Sequence, residues 1–302
     1  MASRIEQLKT EEGRAALRWS IAQRLNRVTY RYGFVVLSDH FYQPLPSRAE
    51  LLGHRQPCRT VEATLEMSME LLRDLLGRYG DELARDLGTF GYPSTNHQLP
   101  IVDASVLYAF IRDTRPRQVV EIGSGSSTQV ICAALQRNAV MDGQTATFTS
   151  VDPYVVPTIQ GALDSRITFT HRMEPLQSIE SDLWESLGPD DILFVDSSHV
   201  FKAGSDVEMQ FMEIYPSLAS GVLLHIHDIF LPNDYPLEWN LHRSQFWNEQ
   251  QFLAVMLDNS ERFDVVAALA AAFDRDRSFF RDFVQGFDGS DSPGSIWLRK
   301  RS

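Results

Sequence analysis

A chain of 302 residues has room for one large domain, or for a domain with a sizeable extension. Its 43% of hydrophobic residues is typical of a globular protein. Its net charge of −12 disfavours a nucleic acid as partner, because phosphate binding needs a basic face. The start is polar and charged, and no apolar run approaches the ~20 residues of a membrane span, so we expect a cytoplasmic protein with no membrane contact. The two cysteines, Cys58 and Cys132, form neither a disulfide framework nor a metal-binding spacing.

The first third of the chain has helical and irregular patterns. Apolar residues recur at helical spacing over residues 1–30, and a second helical pattern covers 64–87. Between them, Pro44 and Pro46 favour extended or turn conformations. We therefore predict that residues 1–97 form an N-terminal helical or irregular extension or cap.

From residue 98 the chain alternates between helix and strand patterns, which is typical of a doubly wound α/β sheet. Helices are predicted at 102–112, 205–218 and 239–257. Strands are predicted at 118–122, 147–151, 167–170, 192–195, 222–226, 263–268 and 295–299. The fourth is entirely apolar, as a strand buried on both faces should be. The sequence thus predicts a Rossmann-like, mostly parallel, seven-stranded α/β domain over residues 98–302.

The most informative stretch is the turn after the first predicted strand, Glu-Ile-Gly-Ser-Gly-Ser-Ser-Thr at residues 121–128. Gly123 and Gly125 remove side chains that would keep a ligand off the backbone, and the following helix start offers unpaired N–H groups. A turn at this end of a parallel strand holds nucleotide-like ligands. A dinucleotide fingerprint has a third glycine where Thr128 stands, which argues against a nicotinamide enzyme.

This turn, with glutamate just before it, resembles motif I of the class I S-adenosylmethionine (SAM)-dependent methyltransferases. The resemblance covers about residues 98–300 and implies SAM as cofactor and a final strand inserted antiparallel. It also implies that the loop passes under the methionine part and the ribose of SAM, and that the acid lies near the SAM amino group. The cofactor residues of motif I would be Glu121, Gly123, Ser124, Gly125, Ser127 and Thr128.

Two more acids are predicted at the cofactor site. Asp152 directly follows the second predicted strand, where a carboxylate can accept both ribose hydroxyls. It lies about thirty residues after motif I rather than the usual ~20, and a longer loop takes up the difference. Asp196 directly follows the fourth predicted strand, whose carboxyl end opens on the same ligand side.

Histidines and acids follow the fourth and fifth predicted strands. Asp196, His199, His227 and Asp228 can converge there, because neighbouring strands lie about 4.8 Å apart. Such a cluster is costly to bury unless a cation or a proton offsets it. The layout is similar to that of catechol O-methyltransferase-like enzymes and of metal-dependent sugar O-methyltransferases from antibiotic pathways, in which Mg²⁺ binds carboxylates at these positions.

That similarity implies a divalent metal held by Asp196, His227 and Asp228. His227 departs from the family pattern, which has Asp or Glu at this position. Imidazole suits Fe, Mn or Zn better than Mg, so the sequence does not distinguish among the four metals.

These observations together predict a SAM-dependent methyltransferase that acts on an oxygen of a small-molecule, specialised-metabolite acceptor with help from a metal. His199 and His227 are candidate bases, because an imidazole can take a proton from a hydroxyl near neutral pH, and Lys202 is a third candidate. Two alternatives stay open: a metal-independent N- or C-methyltransferase with His199 or His227 as base, and a non-catalytic SAM-binding module. A homo-oligomer is compatible with the sequence.

Aromatic residues and prolines follow Asp228 in residues 229–239, and the sequence Phe-Trp-Asn-Glu comes at residues 246–249. With Tyr30, Tyr32 and residues 40–42, they either close over the acceptor or pack the extension onto the sheet. The sequence supports both interpretations equally.

Overall fold

The computed structural model describes residues 10–38, 44–53, 58–86, 90–93, 96–159, 161–243, 245–289 and 292–302. It contains two compact units. One comprises Met1–Arg55 with Leu237–Phe246, and the other comprises Gln56–Pro236 with Trp247–Ser302. The functional boundary predicted at residue 97 stays a prediction. Among the described residues, no helix has both the length and the apolar character that a bilayer crossing requires.

The smaller unit contains helices Glu11–Thr29, Arg48–Leu51 and Leu237–Arg243 and the single turn Tyr30–Tyr32. Thr10 begins the first helix, since its hydroxyl accepts a hydrogen bond from the Gly13 N–H at 3.1 Å. Asn26 then binds both backbone groups of Val36, at 2.9 and 2.8 Å, which holds the following extended segment beside the helix.

The larger unit is built on a seven-stranded sheet in the order β3-β2-β1-β4-β5-β7-β6. The strands are β1 Gln118–Ile122, β2 Ala146–Val151, β3 Ile167–Arg172, β4 Ile192–Val195, β5 Leu223–His227, β6 Phe263–Ala268 and β7 Ser295–Lys300. The first five are parallel, and β7 lies antiparallel between β5 and β6. The predicted Rossmann-like sheet is therefore confirmed.

Apolar side chains cover both faces of this sheet because alternate strand residues point to opposite sides. Val119 and Phe194 belong to one buried cluster, and Val120 and Val195 to the other. The described helices of the larger unit are Arg59–Asp86, Ile101–Thr114, Ser126–Asp142, Asp182–Glu185, Asp206–Met209, Tyr215–Ser217, Glu249–Asn259, Leu269–Arg275 and Arg277–Phe283. The single turn Leu176–Ser178 and the π-helix Gln210–Ile214 complete these layers, and the π-helix joins Asp206–Met209 to Tyr215–Ser217 in one continuous helical segment, as predicted for 205–218.

The prediction of one helix over residues 239–257 is wrong. The structure has two helices, Leu237–Arg243 and Glu249–Asn259, and residues 245–248 are not helical. Asn248 explains the interruption, because its side chain accepts a hydrogen bond from the Phe201 N–H at 2.7 Å and donates one to the Phe201 carbonyl at 3.3 Å. These tertiary contacts outweigh the local helical pattern.

Candidate active site

The turn after β1 is held by both neighbouring strands. The Gly123 N–H donates to the Val151 carbonyl at 2.9 Å, and the Asp196 N–H donates to the Ile122 carbonyl at 2.8 Å. Gly123 has a φ of 88°, and a Cβ there would lie 1.7 Å from the carbonyl oxygen of Asp196. Gly125 has an extended φ of 177°, and its missing side chain leaves open space. Backbone packing thus requires the first glycine, whereas the second leaves room for a ligand.

Glu121 is fully buried and binds the residues that begin the next helix. Its carboxylate accepts hydrogen bonds from the hydroxyls of Ser127 and Thr128, both at 2.7 Å, and of Ser150 at 2.5 Å. Burial raises the pKa of Glu121 to about 7, although the three hydroxyls oppose the shift. These residues therefore bind one another inside the protein, and their predicted direct contact with SAM stays a prediction.

Asp152 lines a cavity of about 380 Å³, a size in the range of small-molecule sites. One carboxylate oxygen accepts from the Ser124 N–H at 3.0 Å, and the other accepts from the N–H groups of Tyr154 and Val155 at 2.7 and 2.8 Å. The Ser124 hydroxyl lies 2.6 Å from that of Ser150, which links this loop to the Glu121 network. The other walls are formed by Ile122, Gly123, Val151, Pro153, Tyr154, residues 175–177, residues 196–198 and Asp206.

The ends of β4 and β5 bring together Asp196, His199 and Asp228, which we call the strand-end cluster. Their potential ligand atoms all lie within 4.8 Å of one another. The Nε2 atom of His199 lies 3.2 Å from Asp196 Oδ1 and 3.6 Å from Asp228 Oδ2. The parallel pairing of β4 with β5 produces this convergence.

His199 is almost completely enclosed, with 3% of its surface exposed. Its Nδ1 lies 2.8 Å from Glu249 Oε2, and its ring packs on Trp247 with 4.3 Å between centroids. Although burial opposes the shift, hydrogen bonds with Asp196 and Glu249 raise the pKa of His199 well above its ordinary value. Both ring nitrogens of His199 therefore have carboxylate partners, which favour the charged form of the ring.

The two carboxyl groups of the strand-end cluster differ from each other. Burial opposes a negative charge on Asp196, but the hydrogen bond from His199 and the charge of His227 lower its pKa. Burial raises the pKa of Asp228, although His227 and His199 oppose that shift. The cluster thus contains one carboxyl group whose pKa is lowered and one whose pKa is raised.

His227 is held by a different set of contacts. Its Nε2 lies 2.9 Å from the carbonyl oxygen of Gln98 and 4.0 Å from Asp228 Oδ1. Its Nδ1 is buried and has no hydrogen-bond partner among the described residues. The structure therefore groups His199, rather than His227, with the two carboxylates. The roles predicted for His227 as metal ligand or base stay predictions.

The remaining predicted residues differ in their exposure and in where they lie. Lys202 is exposed in the turn before the Asp206–Met209 helix, and its predicted role stays a prediction. Tyr235 is buried and contacts Trp247 edge-on with 5.8 Å between ring centroids. Tyr30 and Tyr32 are exposed in the smaller unit, and residues 40–42 lie outside the described residues.

Residues 120–229, which include motif I and both strand ends, match a protein family described as "Methyltransferase domain". The chain contains a class I SAM-dependent methyltransferase domain. The expectations for family, fold and enzyme class are confirmed. Among curated proteins, none is significantly similar to this methyltransferase in sequence.

Several solved structures are similar to this methyltransferase at low identity. The SAH-bound methyltransferase PaMTH1 of Podospora anserina is 16% identical, with 76% of this chain and 88% of that chain covered and a TM-score of 0.39. A putative methyltransferase from Thermobifida fusca is 13% identical, with coverages of 76% and 94% and a TM-score of 0.40. The SAH complex of an O-methyltransferase from Bacillus cereus is 10% identical, with coverages of 93% and 97% and a TM-score of 0.36.

The sequence indicated neither the contacts of His199 with Glu249 and Trp247 nor the role of Ser150. Residues 246–249 were expected only to close over the acceptor or to pack the extension onto the sheet, whereas Glu249 and Trp247 reach His199 from about fifty positions further along the chain. Ser150 binds both Glu121 and Ser124. The position of Ser150, one residue before the end of β2 on the ligand side of the sheet, was a signal that could have identified it.

Proposed function

We propose that this methyltransferase moves the methyl group of SAM to an oxygen of a small-molecule acceptor, and that a divalent cation at the strand-end cluster assists the transfer. One observation carries the proposal. Asp196 lines the 380 Å³ cavity and also binds His199 within the cluster. SAM in the cavity and the methyl acceptor at the cluster would therefore lie next to each other at the Asp196 carboxylate. Holding the two reactants side by side supplies much of the rate in a displacement reaction.

The donor site is assigned to the cavity beside Asp152. Each carboxylate oxygen has two lone-pair directions, so the three backbone N–H groups that Asp152 binds leave one acceptor position for a ribose hydroxyl of SAM. Gly125 leaves open space next to the backbone of the same turn. The carboxylates of Asp152 and Asp196 also favour the positive charge of a sulfonium.

The donor atoms of the strand-end cluster fit a divalent cation. Ligand atoms bound at about 2.1 Å to one ion lie roughly 3 Å from their neighbours, and His199 Nε2 lies 3.2 and 3.6 Å from the two carboxylates. The other ring nitrogen binds a buried carboxylate, which is the usual partner of a metal-ligating histidine. When bound, the cation would act as a Lewis acid that lowers the pKa of an acceptor hydroxyl.

A second candidate is a metal-independent methyltransferase with a histidine base. His227 supports it best, because its Nδ1 has no described hydrogen-bond partner. His199 supports it less, because both of its ring nitrogens already lie next to carboxylates, those of Asp196 and Glu249.

The test is SAM-dependent methylation of a panel of small alcohols and phenols by the full chain. Activity is measured after EDTA treatment and after adding back Mg²⁺, Mn²⁺, Fe²⁺ or Zn²⁺ separately. We expect chelation to abolish turnover and at least one ion to restore it. Unchanged turnover after chelation would exclude the metal and favour the second candidate. SAM binding without turnover would favour a binding module, and no calorimetric signal at sub-millimolar SAM would refute all these readings.

A further inference from the structure

We infer that Glu249 is a positioning residue of the strand-end cluster, and that it makes this site prefer a first-row transition-metal ion over Mg²⁺. The inference rests on the proposed function, because it concerns the same cluster and the same cation. Glu249 lies far along the chain from motif I and comes after both strand ends in the sequence, although its side chain contacts His199. Three observations carry the inference: the fixed backbone at His199, the fixed imidazole ring and the donor set of the cluster.

Asn248 and Glu249 hold the backbone around His199 through hydrogen bonds. The N–H groups of Asn248 and Glu249 both donate to the His199 carbonyl, at 3.0 and 3.2 Å. Asn248 also binds both backbone groups of Phe201 through its side chain. His199 has a φ of 57°, a strained conformation for a residue with a side chain, so these bonds stabilise a backbone that would otherwise relax.

Glu249 also fixes the imidazole ring. Its Oε2 lies 2.8 Å from His199 Nδ1, and the two residues are 0% and 3% exposed. An ionised carboxylate only accepts hydrogen bonds, so the contact with Glu249 favours the tautomer with its hydrogen on Nδ1, which leaves Nε2 as the nitrogen that can bind a cation. Nε2 is the nitrogen that lies next to Asp196 and Asp228. Trp247 packs on the ring and restricts its rotation.

The resulting donor set favours transition metals. Two carboxylates and one imidazole face the site, and imidazole suits Mn²⁺, Fe²⁺ or Zn²⁺, whereas Mg²⁺ prefers oxygen ligands and retained water. A carboxylate behind the imidazole raises its basicity as a ligand. Glu249 should therefore strengthen the bond of His199 to a transition metal and contribute little to the binding of Mg²⁺, which depends on the carboxylates.

The experiment measures Mn²⁺ binding to the full chain from the electron paramagnetic resonance signal of free Mn²⁺, with Mg²⁺ as competitor. We expect the wild type to bind Mn²⁺ more tightly than Mg²⁺, because the cluster supplies an imidazole ligand. Removing an outer partner of a ligand typically lowers metal affinity by about 10- to 100-fold, so we expect losses in this range for Mn²⁺ in Glu249→Gln and Glu249→Ala. The affinity for Mg²⁺ should change much less, and the affinity for SAM should stay within about twofold.

The matched control is Asp258→Asn on the same helix. Asp258 accepts hydrogen bonds from the N–H groups of Arg59 and Thr60 and takes no part in the cluster. This variant should lose stability without losing Mn²⁺ affinity, which separates positioning from a general effect on the helix. If Glu249→Ala does not fold, Glu249→Gln keeps the test valid because its amide preserves the shape of the side chain.

The outcomes separate this inference from the proposed function. If the wild type binds no divalent ion yet methylates acceptors, the metal part of the proposed function fails, and the inference fails with it. If the wild type binds Mn²⁺ and both Glu249 variants bind it equally tightly, the inference is overturned and the proposed function stands. Equal wild-type affinities for Mn²⁺ and Mg²⁺ would overturn the predicted preference.

Discussion

Replacing Glu121 by glutamine should remove a pH dependence from the stability of the methyltransferase domain. Burial raises the pKa of this carboxyl group from 4.5 in the unfolded chain to about 7 in the folded protein. A group whose pKa rises on folding stabilises the folded state at low pH, and this contribution is lost as the pH rises through the folded pKa. The window for Glu121 therefore extends from about pH 4.5 to pH 7.

The magnitude follows from the difference between the two pKa values, which is about 2.5. Each pKa unit corresponds to ~1.4 kcal/mol, so the charged carboxylate should destabilise the folded state by about 3 kcal/mol above pH 7. The amide in Glu121→Gln stays neutral and can still bond the hydroxyls of Ser127, Thr128 and Ser150. Its stability relative to wild type should thus rise by about 3 kcal/mol between pH 4.5 and pH 8.

The assay is urea unfolding of both proteins without SAM at half-unit steps of pH. The test is how the difference in unfolding free energy between Glu121→Gln and wild type changes with pH. A poor fit of the amide would shift this difference by the same amount at every pH. Ser150→Ala is the control: it removes a hydroxyl that lowers the pKa of Glu121, so the transition in stability should move to higher pH. A difference in unfolding free energy that stays flat from pH 4.5 to pH 8 would refute the reasoning.

Three further predictions concern the ligand side of the sheet. Gly123→Ala should lower the free energy of unfolding by about 2 kcal/mol or more, because its Cβ would collide with the Asp196 carbonyl. Gly125→Ala should change that free energy by less than about 1 kcal/mol, since the added Cβ meets open space. Thermal unfolding compares the two variants, and equal losses would contradict the packing argument. Asp152→Asn should weaken SAM binding by about tenfold in calorimetry, since each lost hydrogen bond to a charged group is worth about 1.5–3 kcal/mol, and unchanged affinity would place the donor elsewhere. Asp228→Asn should reduce Mn²⁺ affinity while leaving SAM affinity unchanged, and a parallel loss of both would indicate that the two sites are not separate.

The sheet could be predicted from the sequence because its strands are short and four of them, β1, β2, β4 and β5, are followed directly by glycine or an acid. The turn at Gly123 and the acids Asp196 and Asp228 follow directly from these strand ends. Local pattern could not show that Asn248 interrupts a helix, since the cause is a hydrogen bond to Phe201, far away in sequence.

The orientation of side chains was the other feature that sequence did not determine. A pattern can place Glu121 at the end of β1, but only the packed structure shows that its carboxylate binds three hydroxyls in the interior. In the same way, His199 and His227 were both candidate bases in the sequence, but only His227 was predicted as a metal ligand. The structure separates them, because Glu249 and Trp247 hold the first, and the carbonyl of Gln98 holds the second.

The insertion of β7 between β5 and β6 has a consequence for how the protein is made. β5 ends in His227, directly before Asp228, yet its free edge is paired only by a strand that the ribosome produces last among the seven. A nascent or shortened chain that stops before residue 295 would present the backbone of β5 to any other strand it meets. Such fragments should aggregate rather than retain partial activity, and deletion of residues 295–300 should send the protein into inclusion bodies.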